Sequence, residues 1–177
     1  MNPNAWWWDD FGTVQGLIVN ATAGNIGSLN VSAREVARLG HLFLNRGNWR
    51  GVQLVGAAWI AAATSPQVPV TIPLGNCLLS SFDGRGVYGF GWWANGVRSN
   101  TQYDADCNAF STVGQYYWPH APAGTFSASG YNNKMFVVPE WQMVIVRLDA
   151  DDFQTARISE TIFDEFLRLI GNAILVQ

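Results

Sequence analysis

Charged side chains are scarce in this chain, and lysine is almost absent. Asp, Glu, Lys and Arg together make up 13% of the 177 residues, and Lys134 is the only lysine. The net charge of −3 and the lack of a basic run argue against nucleic-acid binding, which requires a basic patch. No apolar run approaches the ~20 residues that span a bilayer. We therefore expect neither a nucleic-acid partner nor a membrane span.

Cysteine and histidine are also rare, with two of each. Met1–Asn4 shows neither the basic region nor the hydrophobic run of a signal peptide, which leaves the compartment open. Cys77 and Cys107 can pair, but without a signal peptide two reduced thiols are the favoured interpretation. Asp104 and Asp106 precede Cys107 at a spacing that fits no standard zinc or calcium loop. We expect no metal site and no cofactor.

Apolar residues make up 49% of the chain and aromatic residues 14%, with nine tryptophans. A chain of this length and composition can bury a core without metals, so residues 1–177 are predicted to form a single domain. The aromatic richness leaves two interpretations open. Some tryptophans line a carbohydrate or peptide groove, or they cover the core. The residues concerned are Trp6, Trp7, Trp8, Trp92, Trp93 and Trp118.

The clearest local signal is a helix that begins after Ser32. Ser32 and Glu35 form a capping box, in which each side chain is expected to bond to the backbone amide of the other residue. Gly47 supplies a left-handed stop. One apolar face lies between these ends, made by Val36, Leu39, Phe43 and Leu44. A second, alanine-rich helix is predicted over residues 57–64.

The middle of the chain alternates between aromatic residues and glycine. Residues 88–93 predict a strand whose glycines allow another segment to approach closely. Residues 95–124 are predicted to be one long polar and aromatic loop. Near the N-terminus, Trp6–Trp8 predict an extended segment, and residues 14–19 predict a short strand.

The last third of the chain predicts a meander followed by a helix. Strands are expected over residues 125–129, 135–138 and 143–148, joined by tight turns. A C-terminal helix is predicted over residues 153–175, packed on this sheet. Its expected apolar face is made by Ile158, Ile162, Phe166, Leu169 and Ile170.

Four of these stretches, in this order, resemble class C β-lactamases and DD-peptidase-type penicillin-binding proteins. They are residues 26–47, 53–67, 88–93 and 126–148, so most of the range 26–148 is covered. The resemblance implies an α+β fold, the C-terminal portion of the β-lactamase-like fold, with helices packed on an antiparallel sheet. It also implies an ancestry in the hydrolysis of β-lactams, peptidoglycan peptides or small esters, often outside the cytoplasm.

The third active-site motif of that family is Lys-Thr-Gly or His-x-Gly, on the strand that lines the active site. The matching positions are Ala128, Ser129 and Gly130. Tyr131 follows, and the resemblance implies that a backbone amide near this residue would supply one of the two donors of an oxyanion hole. The resemblance implies that these four residues line a substrate groove. Ala128 lacks the polar side chain of the first motif position.

The nucleophile motif of the family, Ser-x-x-Lys, is absent. Tyr131 occupies the position three residues before Lys134, and the first 25 residues contain neither serine nor lysine. Tyr131–Asn133 reads Tyr-x-Asn but follows the third motif, so we interpret it as an asparagine-rich turn. The chain is therefore expected to be a truncated homologue with no catalytic residue, inactive alone. A non-catalytic ligand- or partner-binding module and a complementing half of a split hydrolase remain as alternatives.

Partners are expected for the same reason. In the complete family fold a strand from the N-terminal portion pairs with the last strand, residues 144–148 here. Without that portion an apolar strand edge would be open. We expect a homodimer or a partner chain to cover it, unless residues 14–19 fill the gap. A small molecule or peptide is a further candidate ligand.

Overall fold

The computed structural model describes residues 6–13, 25–73, 83–103, 107–130, 133–148 and 158–175. The described part is α+β, with antiparallel sheets and three helices, as the sequence predicts. In chain order the elements are β1 Trp6–Thr13, β2 Asn25–Val31, α1 Ala33–Leu44, β3 Asn48–Trp49, β4 Val52–Gln53, α2 Ala57–Ala63, β5 Trp93–Ala94, β6 Thr101–Tyr103, β7 Ala109–Ser111, β8 Phe126–Gly130, β9 Asn133–Val138, β10 Met143–Arg147 and α3 Glu160–Leu175.

A four-stranded antiparallel sheet in the order β10-β9-β8-β5 forms the centre. The predicted meander is confirmed, with a 3-10 turn at Pro139–Trp141 between β9 and β10. Successive side chains of a strand point to opposite faces, and both faces of this sheet are apolar. Met135, Val137, Val144 and Val146 pack on the α1 side, while Phe136, Val138 and Ile145 pack on the α3 side.

Helix α1 begins where the sequence predicts, but only half of the capping box forms. The Ser32 hydroxyl accepts a hydrogen bond from the Glu35 amide at 3.4 Å. The Glu35 carboxylate does not return to Ser32; it pairs with Arg38 one turn further along the helix. The expected reciprocal bond is therefore wrong, because a nearby guanidinium competes for the carboxylate better than a neutral backbone amide does.

The left-handed end of α1 starts one residue earlier than predicted. Arg46 already has a φ of 52°, and Gly47 follows with a φ of 83°. The Arg46 amide bonds to the Phe43 carbonyl at 3.0 Å and the Gly47 amide to the Leu42 carbonyl at 2.8 Å, which is the Schellman pattern. The chain then enters the small β3–β4 hairpin.

Two predictions for the middle of the chain are wrong. Residues 88–93 form a loop closed by a single bridge between Tyr88 and Trp93, and the strand begins only at Trp93. The expected close approach is nevertheless present: a Cβ added at Gly89 would lie 2.1 Å from the Ala63 carbonyl oxygen. The predicted loop of residues 95–124 contains the β6–β7 hairpin, whose register joins Thr101 to Ser111.

Helix α3 presents a different face to the sheet from the one predicted. Phe163 and Leu167 are buried against Phe136, Val138 and Trp118. Three residues of the predicted face are exposed instead: Ile162 by 60%, Phe166 by 45% and Leu169 by 54%. Most of α3 is apolar, so its sequence pattern fixes the buried face poorly, and contact with the sheet decides it. The helix begins at Glu160, later than residue 153, and residues 153–157 lie outside the described part.

The predictions for the N-terminal segment and the cysteines fall partly on described residues and partly outside them. Trp6–Trp8 belong to β1, which pairs antiparallel with β2, whereas residues 14–19 lie outside the described part. Cys107 is disulfide-bonded, so the interpretation of two reduced thiols is wrong. Cys77, the other cysteine of the chain, is not among the described residues. None of the described helices is both long and apolar enough to cross a membrane.

Candidate functional site

The predicted groove residues lie at the C-terminal end of β8. Ala128 is opposite Met135 on the α1 side of the sheet and packs against the core there. Ser129 is exposed and is opposite Lys134, while Gly130 is opposite Asn133. The positions are thus divided between the two faces by the strand alternation. Tyr131 lies outside the described residues.

The outer edge of β8 is only half paired. Trp93 is opposite Ser127 and Ala94 is opposite Phe126, so β5 covers the first two residues of the strand. Beyond them, no strand in the described part of the chain pairs with residues 128–130 on that side. An open strand edge offers backbone N–H and C=O groups to an extended ligand. This half-open edge, Ala128–Gly130, is the candidate functional site.

The only cation of the neighbouring strand is turned away from this edge. The Lys134 side chain is 3% exposed, and its Nζ lies 2.6 Å from Glu160 Oε1 on α3. Nζ also stands 4.8 Å from the ring centroid of Phe163 and 5.6 Å from those of Trp118 and Phe136. Trp118 Nε1 donates to the other Glu160 oxygen at 2.9 Å. The amine is therefore enclosed by three rings and neutralised by one carboxylate.

The structure shows a second titratable pair that sequence analysis missed. His120 Nδ1 lies 2.6 Å from Asp164 Oδ2, and the His120 amide donates to Asp164 Oδ1 at 2.9 Å. A carboxylate and the imidazole that it orients in this way are two of the three members of a nucleophile-activating triad. In the described ranges, however, no hydroxyl or thiol is hydrogen-bonded to the other ring nitrogen of His120. The pair fastens the loop before β8 to α3.

A buried polar cluster holds the loops around β6. Asp83 accepts hydrogen bonds from Arg85 Nη2 at 2.7 Å and from Gln102 Nε2 at 2.8 Å. Burial alone would raise the pKa of Asp83, but the hydrogen bonds and charge of Arg85 outweigh it, so the pKa lies below its usual value. Arg85 also donates to the carbonyls of Ile72 and Thr101. Every polar group here faces another protein group, which indicates a structural role.

No nucleophile is assembled among the described residues. Ser127 is fully buried, and its hydroxyl approaches only the Ala128 carbonyl, at 3.4 Å. None of the serines in the described ranges hydrogen-bonds to lysine or histidine, and those same ranges contain no cluster of three or more metal-ligating side chains.

The aromatic-groove interpretation fails for two tryptophans. Trp118 is fully buried and Trp92 is 7% exposed; each belongs to the core. Trp93 is half-buried and stacks on Tyr117, with ring centroids 5.4 Å apart. The side chains of Trp6–Trp8 are not described. The interpretation that tryptophans cover the core is correct for Trp92 and Trp118.

Two of these contacts had no local signal in the sequence. Glu160 is 26 residues from Lys134, and Asp164 is 44 residues from His120. Only the packing of α3 against the sheet and the preceding loop brings these groups together.

Comparison with known proteins gave matches among solved structures. No family model matches the chain, and none of the curated proteins matches it. Among solved structures the chain is similar to "Putative 6-aminohexanoate-dimer hydrolase from Bacillus anthracis", with 19% sequence identity and a TM-score of 0.49. The match covers 85% of this chain and 30% of that structure.

Proposed function

We propose that this chain is the sheet-bearing part of a β-lactamase-like serine hydrolase and that it is catalytically inactive by itself. Three features support the proposal: the four family-like stretches occur in family order, the fold is α+β with a central antiparallel meander, and the third-motif positions fall on one strand with a half-open edge.

The burial of Lys134 carries the proposal of inactivity. Serine hydrolases of this family use a lysine amine to activate the serine hydroxyl, and that amine must reach the nucleophile. Here the only lysine is 3% exposed and ion-paired with Glu160. A catalytic unit that lacks its nucleophile and base retains only residual binding and electrostatic effects.

The role left to the chain is to bind substrate along β8. The backbone of residues 128–130 can hydrogen-bond to an extended acyl group, as strand edges do for peptides. β-Lactams, peptidoglycan peptides and small esters are the substrate classes that the resemblance implies. A serine and a lysine would have to come from a second chain or from a further part of the same protein.

We expect no covalent adduct when the purified chain is incubated with a fluorescent penicillin, and no turnover of nitrocefin or p-nitrophenyl butyrate. Intact-mass spectrometry and in-gel fluorescence measure the adduct, with an active DD-peptidase as the positive control. A stoichiometric adduct would refute the proposal. In that case Ser129→Ala and Ser127→Ala would separate an exposed nucleophile from a buried one.

A second candidate function, self-association, is supported by the opposite side of the sheet. Within the described ranges β10 is the outer strand, and it lines a groove of about 570 Å³ together with α3. Exposed Ile162 and Phe166 belong to this groove. Two copies could pair their β10 strands antiparallel about a two-fold axis, which would bury both apolar helix faces in one contact.

Sedimentation equilibrium at micromolar concentrations tests this candidate. We expect a dimer, and we expect Ile162→Glu to weaken dimerisation at least about tenfold, because a charge would be buried at the contact. Thr161→Glu is the matched control, since Thr161 is exposed on the same helix but does not line the groove. A single 19.5 kDa species throughout would exclude the homodimer. In that case the next partner to test at the β10 edge would be a different polypeptide, one that carries Ser-x-x-Lys.

A further inference from the structure

A cavity of about 610 Å³ lies between the C-terminal end of α1, helix α2 and the start of β8. This volume is within the range of pockets that bind small molecules. Phe126, the first residue of β8, lines the cavity, whereas Ala128–Gly130 do not. The cavity is therefore distinct from the strand edge proposed to bind substrate.

The walls of the cavity are mainly apolar. Two aromatic rings and several aliphatic side chains contribute: Phe43, Leu44, Ile60, Phe126 and Pro139. Phe43 is held in place by Trp92, with ring centroids 4.3 Å apart. Walls of this kind accommodate a ring or a branched apolar group.

Arg46 is the one ionisable residue in the lining of this cavity. Its backbone is held by the Schellman turn and by Gln53 Nε2, which donates to the Arg46 carbonyl at 2.7 Å. Its guanidinium makes no ion pair or hydrogen bond with any residue in the described ranges. An unpaired cation beside an apolar cavity favours a ligand with an anionic group, because guanidinium matches the geometry of a carboxylate.

Thr125 supplies a second, independent indication. It lines the cavity and is 1% exposed, yet its hydroxyl has no hydrogen-bond partner within the described part. The other lining hydroxyls are satisfied: Thr64 donates to the Ile60 carbonyl at 2.8 Å and Ser65 to the Ala61 carbonyl at 2.6 Å. A buried hydroxyl without a partner is rare in native proteins. The hydroxyl is buried beneath the cavity wall, so a rotation of the Thr125 side chain would bring it to a ligand acceptor in the cavity.

The remaining polar side chain of the lining, Asn95, is already occupied. Asn95 donates to the carbonyls of Trp118, Ala121 and Pro122 and accepts from the Trp118 amide at 2.8 Å. Its amide is thus used to hold the loop before β8. Arg46 and Thr125 remain as the groups available to a ligand.

We infer that this cavity binds a small amphipathic carboxylic acid with an aromatic or branched apolar body. The apolar body packs against the cavity wall to which Phe43 and Leu44 contribute, and the carboxylate pairs with Arg46. The Thr125 hydroxyl donates to an acceptor atom of the ligand. The inference does not depend on the proposed hydrolase ancestry, because it uses neither the β8 edge nor a nucleophile.

A matched pair of probes tests the charge requirement: 4-phenylbutyrate and 4-phenyl-1-butanol share the ring and chain but differ in the acid group. Titration followed by amide chemical shifts should map both probes to α2 and to residues 123–126. We expect the acid to bind about tenfold more tightly than the alcohol, as a charged hydrogen bond predicts. Arg46→Gln should abolish this difference.

Arg50→Gln is the matched control for Arg46→Gln. Both arginines are exposed and have nearly equal positive φ angles, 51° for Arg50 and 52° for Arg46, but Arg50 does not line the cavity. We expect the control to leave both affinities unchanged. Equal binding of acid and alcohol by the unmodified chain, equal effects of the two substitutions, or shifts that map elsewhere would each overturn the inference.

Thr125→Val gives a readout that a purely structural role would not produce. Valine has nearly the same shape and removes the unsatisfied hydroxyl, so the melting temperature without ligand should not fall. The affinity for 4-phenylbutyrate should fall at least about threefold through the lost hydrogen bond. An unchanged affinity would show that Thr125 does not contact the ligand. The site itself would be refuted if the unmodified chain bound neither probe at about 10 mM, on the order of the weakest useful fragment affinities.

Discussion

Replacing Glu160 with glutamine should lower the free energy of unfolding by about 3 kcal/mol, at the lower end of the range for breaking a buried ion pair. Glutamine has one acceptor oxygen, so it can keep the hydrogen bond from Trp118 Nε1 only by giving up the one from Lys134 Nζ, and the change removes the charge together with that bond. It removes the Glu160 charge from beside the Lys134 ammonium, which stays enclosed by aromatic rings. We expect a loss of stability at the lower end of that range because the Glu160 side chain is 33% exposed, so water already weakens its attraction to Lys134. Urea denaturation measures the change.

Two further variants make the experiment decisive. Glu165→Gln removes an exposed ion pair with Arg168 on the same helix and should leave the free energy of unfolding nearly unchanged, because water screens exposed charges. Lys134→Met combined with Glu160→Gln should recover most of the lost stability, since an apolar side chain suits the aromatic surroundings. Equal stability of Glu160→Gln and the unmodified chain would show that the pair does not stabilise the fold.

Gly47→Ala should destabilise the chain by about 3 kcal/mol or more. The residue has a φ of 83°, and a Cβ there would lie 2.0 Å from the Val55 carbonyl oxygen. The backbone of the turn after α1 would have to move, because the nearest atom belongs to the main chain. Equilibrium denaturation and amide shifts of residues 42–55 report both the stability and the displacement.

Gly51→Ala separates the two causes of that effect. Gly51 has a similar φ of 89°, but nothing lies within 4 Å of a Cβ added there. Its substitution should cost only the left-handed conformation, about 1 kcal/mol. Similar costs at the two glycines would show that the close approach at Gly47 relaxes freely.

Features that depend on neighbouring residues were predictable from the sequence. The cap at Ser32, the stop near Gly47 and the three strands of the meander follow from local hydrogen bonding and strand alternation. The strand that carries Ala128–Gly130 was found in the same way. Its half-open edge was not, because the partner strand β5 shares only Trp93 with the predicted strand of residues 88–93 and pairs with only two residues of β8.

Features that depend on distant residues were not predictable. Lys134 reads in the sequence as a lone cation, and only the docking of α3 shows that Glu160 neutralises it. The buried face of α3 was misjudged for the same reason: many of its positions are apolar, so the sheet selects Phe163 and Leu167 from several alternatives. The cavity beside Arg46 likewise joins residues from α1, α2 and β8 that no motif connects.

The enclosure of Lys134 has a practical consequence for chemical labelling. The folded chain offers no accessible lysine amine, since its only one is 3% exposed and ion-paired. Amine-reactive dyes, biotin esters and lysine cross-linkers should therefore leave the side chains of the native protein unmodified. The same reagents would reach Lys134 when α3 leaves the sheet. The rate at which this single residue is modified would thus report how often α3 detaches from the sheet. The protein therefore contains its own footprinting probe for the detachment of its C-terminal helix.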